Sequence, residues 1–283
     1  MSVRRSVLVA LRVPGAAPHG GDGGTLFGEL AKLWRFREVV YVLIGRELKA
    51  RYRGASLGFL WSIVNPIIFM SVYVLVFSVY MRIPVPNYPA FVLCGLLPWN
   101  WFAASVTESS RSILDNRGLV KRVALPSEIF PFVSIGANLI HFLLSMPLLL
   151  ALLVLLGVEL AWTAVLFPVI LMIQFVITFG IALICSSLSV RFRDLLQLVP
   201  SLLTLWFFVT PVFYPASLVP PAFRGLLRLN PMAWLIDAYH QVLLYQRTPP
   251  LVEIGILALV GLALVAAGQL VFDARRESFV EEI

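Results

Sequence analysis

Charge is scarce in this chain. Of its 283 residues only 13% are Asp, Glu, Lys or Arg, against roughly a quarter in a soluble domain. Hydrophobic residues make up 60% of it, at a mean hydropathy of +0.91. Too little polar surface remains to cover a fold of this size in water, so a soluble globular protein is excluded and lipid is the solvent that fits. Lysine is scarcer still: Lys32, Lys49 and Lys121 are the whole set, and none follows a glycine. A P-loop requires Gly-Lys-Ser/Thr so that backbone amides and the lysine cradle the phosphates, and hydrolysis of ATP by this chain is thereby excluded. The two cysteines, Cys94 and Cys185, sit inside apolar runs without metal or redox spacing and read as packing residues. The three histidines, His19, His141 and His240, are scattered, and no cluster of Asp with Lys or Arg suggests a metal-assisted phosphotransfer centre.

What charge there is has a pattern. The net charge of +7 comes from residues that flank hydrophobic runs and form no solvated face, which argues for membrane orientation and against nucleic acid. Residues 1–26, rich in Gly, Pro and Ala, read as a disordered cytoplasmic tail, because the apolar run 7–11 is too short for a signal-peptide core. Over 27–53, Leu30, Leu33, Trp34, Val40, Leu43, Ile44 and Leu48 alternate with basic and acidic residues at helical spacing. That predicts an amphipathic helix lying in the membrane interface, with a basic polar face.

A helix needs about 20 apolar residues to cross the hydrocarbon core. Runs at 57–81, 88–107, 129–158, 160–190, 195–223 and 254–272 qualify; none contains Asp, Glu, Lys or Arg, and His141 is their one histidine. The expected fold is an all-α integral membrane protein of six transmembrane helices over 54–273, followed by a short cytoplasmic tail, 274–283. The apolar pieces 218–229 and 233–244 are too short to cross, and a crossing would hold Asp237 at membrane depth at a cost of about 3 kcal/mol or more. A re-entrant or surface helical hairpin between spans five and six is the cheaper reading. With the N-terminus inside, Arg82, Arg224, Arg228 and Arg247 face outward and the other eighteen of the 22 basic residues face the cytoplasm, which places both termini there.

No second copy of any segment is evident, so the inverted repeat of many secondary carriers is missing. Ionisable groups at depth are few. Glu108 and Arg111, three residues apart, share a helix face and are expected to pair; His141 on an apolar face reads as a core hydrogen-bond donor. Aromatic residues do stand out. Phe69, Tyr73, Phe77 and Tyr80 follow one helix face, and Trp206, Phe207, Phe208, Phe213 and Tyr214 crowd the outer half of span five. Such rings stack on the C–H faces of sugars, and two readings stay open: a glycan path, or a lipid-facing and packing belt.

Further motifs make the chain recognisable. Arg46-Glu47-Leu48-Lys49-Ala50-Arg51-Tyr52-Arg53, then Leu57-Gly58, Trp61 and Asn65-Pro66, resemble the entry to the first span of type-2 ABC permeases that export O-antigen, capsule and teichoic-acid polymers. Gly95-Leu96-Leu97-Pro98-Trp99, Pro126 with Glu128 to Pro131, Arg191-Phe192-Arg193-Asp194, Thr210-Pro211-Val212-Phe213-Tyr214 and Asn230-Pro231 extend the match over 27–272. The resemblance implies a homodimeric, non-catalytic inner-membrane subunit docked on a separate ABC ATPase, which would bind the ATP and Mg²⁺, and moving a lipid-linked glycan outward. It implies a coupling segment at Leu119, Val120, Lys121, Arg122, Val123, Pro126 and Ser127. Arg191, Arg193 and Asp194 would stand at the inner mouth, where arginines steer a pyrophosphate head group, and Phe69, Tyr73, Phe77, Tyr80, Trp206, Phe213 and Tyr214 would line the path. A type-2 ABC permease for a drug or small lipid, and a membrane glycosyl- or phosphotransferase, are the alternatives. No cofactor, metal or nucleic acid is expected of the chain itself.

Overall fold

The computed structural model describes residues 35–54, 58–122, 125–159 and 161–275. The tail at 1–26, the first part of the interface helix, Val123 and residues 276–283 lie outside the described residues. Every regular element among the described residues is helical. Helix α1 (Arg37–Tyr52) is followed by a single helical turn at Gly58–Leu60 and by α2 (Trp61–Tyr80), whose last seven residues, Val74–Tyr80, are wound as π-helix. There follow α3 (Tyr88–Asp115), the short α4 (Arg117–Arg122), α5 (Ile129–Leu155), α6 (Phe167–Arg191), α7 (Leu195–Val209), α8 (Arg224–Arg228), α9 (Pro231–Tyr239, prolonged by π-helical His240–Leu244) and α10 (Leu251–Asp273).

Five of these elements, α2, α3, α5, α10 and α6 with its leading turn, are long and apolar enough to cross a bilayer. The fifth expected span differs. Its run of apolar residues continues to 223, but α7 has only 15 residues, about 22 Å of helix against a core of about 30 Å. The helix stops because Pro211 has no N–H to donate and disfavours helical backbone at the residue before it; Thr210 is extended, at φ −95° and ψ 133°.

The core is built around α3, most of whose residues are buried between α5, α6 and α9. Against it lie α6 and α10, packed backbone to backbone: a Cβ on Gly180 would stand 2.5 Å from the Leu264 carbonyl carbon, and one on Gly268 would stand 2.7 Å from the Gly180 carbonyl oxygen. Lipid gives no hydrophobic drive for helices to associate, so small residues that bring helices into van der Waals contact supply much of the attraction. By contrast α2 has only Ser62 and Pro66 buried within its first thirteen residues, and α7 only Val199, Leu203 and Phe207.

The segment Pro231–Leu244 is buried against α3, with Met232, Leu235, Ile236 and Tyr239 fully inaccessible. Its start is fixed by Asn230, whose Oδ1 accepts from the backbone N–H groups of Met232 and Ala233 at 3.0 and 3.3 Å, ahead of Pro231 at the first helical position. That is the preferred helix entry, a side-chain cap followed by a residue with no N–H to satisfy.

Candidate functional site

An open groove of about 550 Å³ runs along α2, α3, α5 and α7. Phe69, Tyr73, Trp99 and Phe207 give it aromatic walls, and Asn65, Asn100, Thr107 and Thr204 give it polar positions. At the α1 end its lining becomes charged and polar, with Arg51, Glu108, Asn138 and His141. There Arg51 Nη2 donates to both Glu108 carboxylate oxygens at 2.7 and 2.6 Å, and Arg51 Nη1 donates to Asn138 Oδ1 at 2.9 Å. The Asn138 amide closes the triangle by donating to Glu108 Oε2 at 2.7 Å. Thus Glu108 pairs with Arg51 of α1 and not with Arg111, which is exposed. Sequence spacing favoured the intrahelical partner, and the tertiary approach of α1 to α3 and α5 supplies a better one.

Away from the α1 end, Tyr73 of the groove lining joins a cluster of stacked rings. Tyr73 lies parallel to Phe213 with centroids 5.4 Å apart, and Phe77 lies 4.8 Å from Phe213. Phe213 is held by the break after α7: Tyr88 Oη donates to its carbonyl at 2.6 Å, and Gly95 lets this extended segment lie against α3, since a Cβ there would stand 2.8 Å from the Val212 carbonyl oxygen. Asn230 ties the same break to α7, donating to Thr210 Oγ1 at 2.9 Å and accepting from Trp206 Nε1 at 2.9 Å. The Gly95, Thr210–Tyr214 and Asn230-Pro231 motifs therefore meet at one structural joint.

Of the aromatic residues expected to line a path, Phe69 and Tyr73 line the groove, and Phe77 and Phe213 belong to the ring cluster that Tyr73 joins. Trp206 stands behind the wall, edge-on to Trp99 and Phe102 at 6.2 and 5.3 Å. Tyr214 is half-buried with its hydroxyl donating to the Phe208 carbonyl at 3.0 Å, and Tyr80 is exposed outside the cluster. Trp99 and Phe207 are wall residues that the helix-face pattern of span one did not reveal; Trp99 was visible only as part of a motif.

The loop from α3 to α5 presents two faces. Leu119 and Val120 pack inward on a small apolar cluster of Val39, Val40 and Leu43 from α1 with Ile129, Phe130 and Val133 from α5, while Arg117, Gly118 and Lys121 are exposed. Arg122 ends α4, Pro126 is half-buried, Ser127 is buried, and the Arg122 side chain and Val123 lie outside the described residues. Helix α1 is joined to this loop by Arg46, which donates to Asn116 Oδ1.

Only part of the polar side of α1 faces outward. Glu47 turns inward, accepts from Ser134 Oγ at 3.3 Å and has its other carboxylate oxygen buried without a hydrogen-bond partner. Burial, and then the neighbouring Glu108 carboxylate, push its carboxyl group above the usual range.

Arg191, Arg193 and Asp194 are exposed at the α6–α7 turn and are not part of the groove lining. Arg193 instead borders a second hollow, of about 420 Å³, with Asp115 and Arg117 of the loop. Arg191 and Arg275 lie 5.8 and 5.7 Å from the ring centre of the exposed Phe192, within cation–π reach. Among the described residues no group of three or more His, Cys, Asp or Glu stands ready to hold a metal ion.

Comparison with known proteins gives one consistent result. The model of the ABC-2 type transporter family matches residues 38–244. An O-antigen export system permease protein RfbA of Myxococcus xanthus is 43% identical over 254 residues, covering 89% of this chain and 98% of that protein. A protein of the same name from Klebsiella pneumoniae is 33% identical over 251 residues, covering 86% and 94%. The polysialic acid transport protein KpsM of Escherichia coli is 23% identical over 251 residues, covering 85% and 95%.

Proposed function

The chain belongs to the ABC-2 type transporter family, and from that membership we propose that it is the permease of a polysaccharide export system, moving a lipid-linked O-antigen- or capsule-like glycan outward across the inner membrane. It is a non-catalytic membrane subunit. ATP and Mg²⁺ are bound and used by a separate ATPase, and two copies of the chain form the complete transmembrane unit.

The observation that carries the reading is the groove, open and walled by Phe69, Tyr73, Trp99 and Phe207 between α2 and α7. Aromatic faces hold a sugar chain by stacking on its C–H surfaces without fixing any one unit, as a sliding polymer requires. The exposed apolar faces of α2 and α7 suit either lipid or the second copy. In this arrangement both termini are cytoplasmic, α7 with the broken segment behind it serves as the sixth crossing, and α9 is re-entrant from the outer side.

The loop Leu119–Ser127 is the coupling segment. Its Leu119 and Val120 anchor to α1 and α5, its exposed Lys121 faces the ATPase together with Arg117 just ahead of it, and Arg193 across the second hollow belongs to the same cytoplasmic rim. A push on this loop reaches the groove through α3, which carries Glu108 and is capped by Asn116.

Deletion of the gene tests the proposal. The account expects surface polysaccharide to disappear while lipid-linked glycan accumulates inside, and the wild-type gene to restore export. Unchanged surface polysaccharide in the deletion strain would overturn the reading.

A further inference from the structure

At its α1 end the groove presents a single cationic side chain. Among the described residues Arg51 is the one lysine or arginine in its lining, and its carboxylate partner Glu108 and its amide partner Asn138 line the groove with it. The rest of the lining is largely apolar or aromatic, so a ligand that fills the groove has one place for an anionic end. Arg191 and Arg193 stand outside the lining.

The geometry at Arg51 is that of an occupied oxyanion site. A guanidinium presents a fork of N–H donors that matches carboxylate and phosphate oxygens alike. Here Glu108 offers both of its oxygens to Nη2, and the Asn138 amide, itself bonded to Arg51 Nη1, donates to the same carboxylate. The pair is open to solvent, with the two side chains 26% and 36% exposed. Solvent access weakens an ion pair and lets a competing anion reach it.

We propose that Arg51 and the Asn138 amide form the phosphoryl-binding position of the groove, and that Glu108 occupies it until the phosphoryl end of an amphiphile displaces the carboxylate. The inference rests on the export reading above and deepens it. The phosphoryl group belongs to a polyprenyl carrier or to a membrane phospholipid, with the remainder of the ligand lying toward Phe69, Tyr73, Trp99 and Phe207. Displacement of Glu108 also removes the Arg51–Glu108 tie between α1 and α3 and leaves the Arg46–Asn116 bond at the C-terminal end of α3 in place.

The test uses the full chain in phosphatidylcholine nanodiscs, titrated with polyprenyl pyrophosphate and read by the emission of Trp99 and Trp101, which line the groove. Binding to Arg51→Ala is expected to fall about tenfold, and binding to Glu108→Gln to tighten several-fold because the competing charge is gone. Arg51→Lys, which keeps the charge but loses the fork, falls between wild type and Arg51→Ala. The double variant Arg51→Ala/Glu108→Ala leaves no unpaired charge and should bind as weakly as Arg51→Ala, which separates lost binding from lost folding.

Competition assigns the source. Displacement by inorganic pyrophosphate without effect from phosphatidylglycerol supports the carrier. Equal displacement by phosphatidylglycerol supports the site and assigns it to membrane phospholipid. Wild-type affinity in the double variant, or an unchanged affinity in Glu108→Gln, would overturn the proposal and leave Arg51 as a structural pin. The export reading would survive that result, since its own test is surface polysaccharide in the deletion strain.

Discussion

Helices α3 and α2 are neighbours in sequence and in space, yet they are built on opposite principles. Helix α3 buries most of its length and is fastened by side chains from four other elements, including Gln174 Nε2 donating to the Pro98 carbonyl at 2.8 Å and Arg51 at Glu108. Helix α2 leaves Phe69, Val72, Val79 and Tyr80 more than half exposed, carries Pro66 inside and loosens into π-helix at its end. Irregular turns of this kind inside helices occur often at functional sites. One helix is the post of the bundle and the other is a wall with an unfilled face. The difference teaches that hydrophobicity alone cannot tell the two roles apart, because α2 is the more apolar of the pair and the less buried.

Breaking the packing of α6 on α10, behind the post, should have the largest effect. Gly180→Leu on α6 drives a branched side chain into the Leu264–Val265 backbone, and overpacking of this kind costs about 3 kcal/mol or more where backbone cannot yield. Folded, detergent-resistant protein is expected to be lost, as read by size-exclusion recovery and melting temperature. At the joint between post and wall, Asn230→Ala removes the α9 cap and the partner of Trp206 and Thr210. A loss of about 1–2 kcal/mol is expected from the cap alone, measured as a lower melting temperature, with reduced export.

On the wall the effect should change in kind. Phe69 is 53% exposed, so Phe69→Ala should alter stability by less than about 0.5 kcal/mol while surface polysaccharide falls clearly. Equal loss of stability and export in this variant would erase the distinction between post and wall. The smallest effect belongs to Glu47→Gln. A carboxyl group whose folded pKa lies above its unfolded value favours the folded state at low pH and loses that advantage as pH rises through the folded value. Burial and Glu108 raise Glu47 in this way, so the substitution should increase thermal stability slightly at neutral pH and not below the ordinary range of a glutamate.

Much of this was legible in the sequence. Long uncharged runs announce spans, and four of the six expected begin and end within a few residues of a described helix. The fifth was drawn too long because hydropathy does not register the break that Pro211 imposes on backbone hydrogen bonding. A re-entrant or surface hairpin was expected there from the shortness of its apolar pieces; the described helix Pro231–Tyr239 buries one side and leaves Asp237 exposed.

The candidate site was half legible. Helical spacing brought Phe69 and Tyr73 to one face. The opposing wall, Trp99 and Phe207, depends on how α3 and α7 approach α2, and no periodicity within one helix encodes that. For the same reason Arg51 was visible only as part of the Arg46–Arg53 motif, and Glu108 was matched with a partner on its own helix. A solvent-facing helix of mixed charge gives no sign of which charges turn inward until its neighbours are known.

The central claim is that the groove between α2 and α7 is the route of the exported glycan. Its most direct test is the rate of maleimide labelling of Thr204→Cys in cells, with Cys185 replaced by alanine and Cys94 left buried. Leu205→Cys, on the same helix but outside the lining and 65% exposed, is the reference. The account predicts that active glycan synthesis slows labelling at 204 several-fold and leaves 205 unchanged; equal rates at both positions with and without glycan would contradict it.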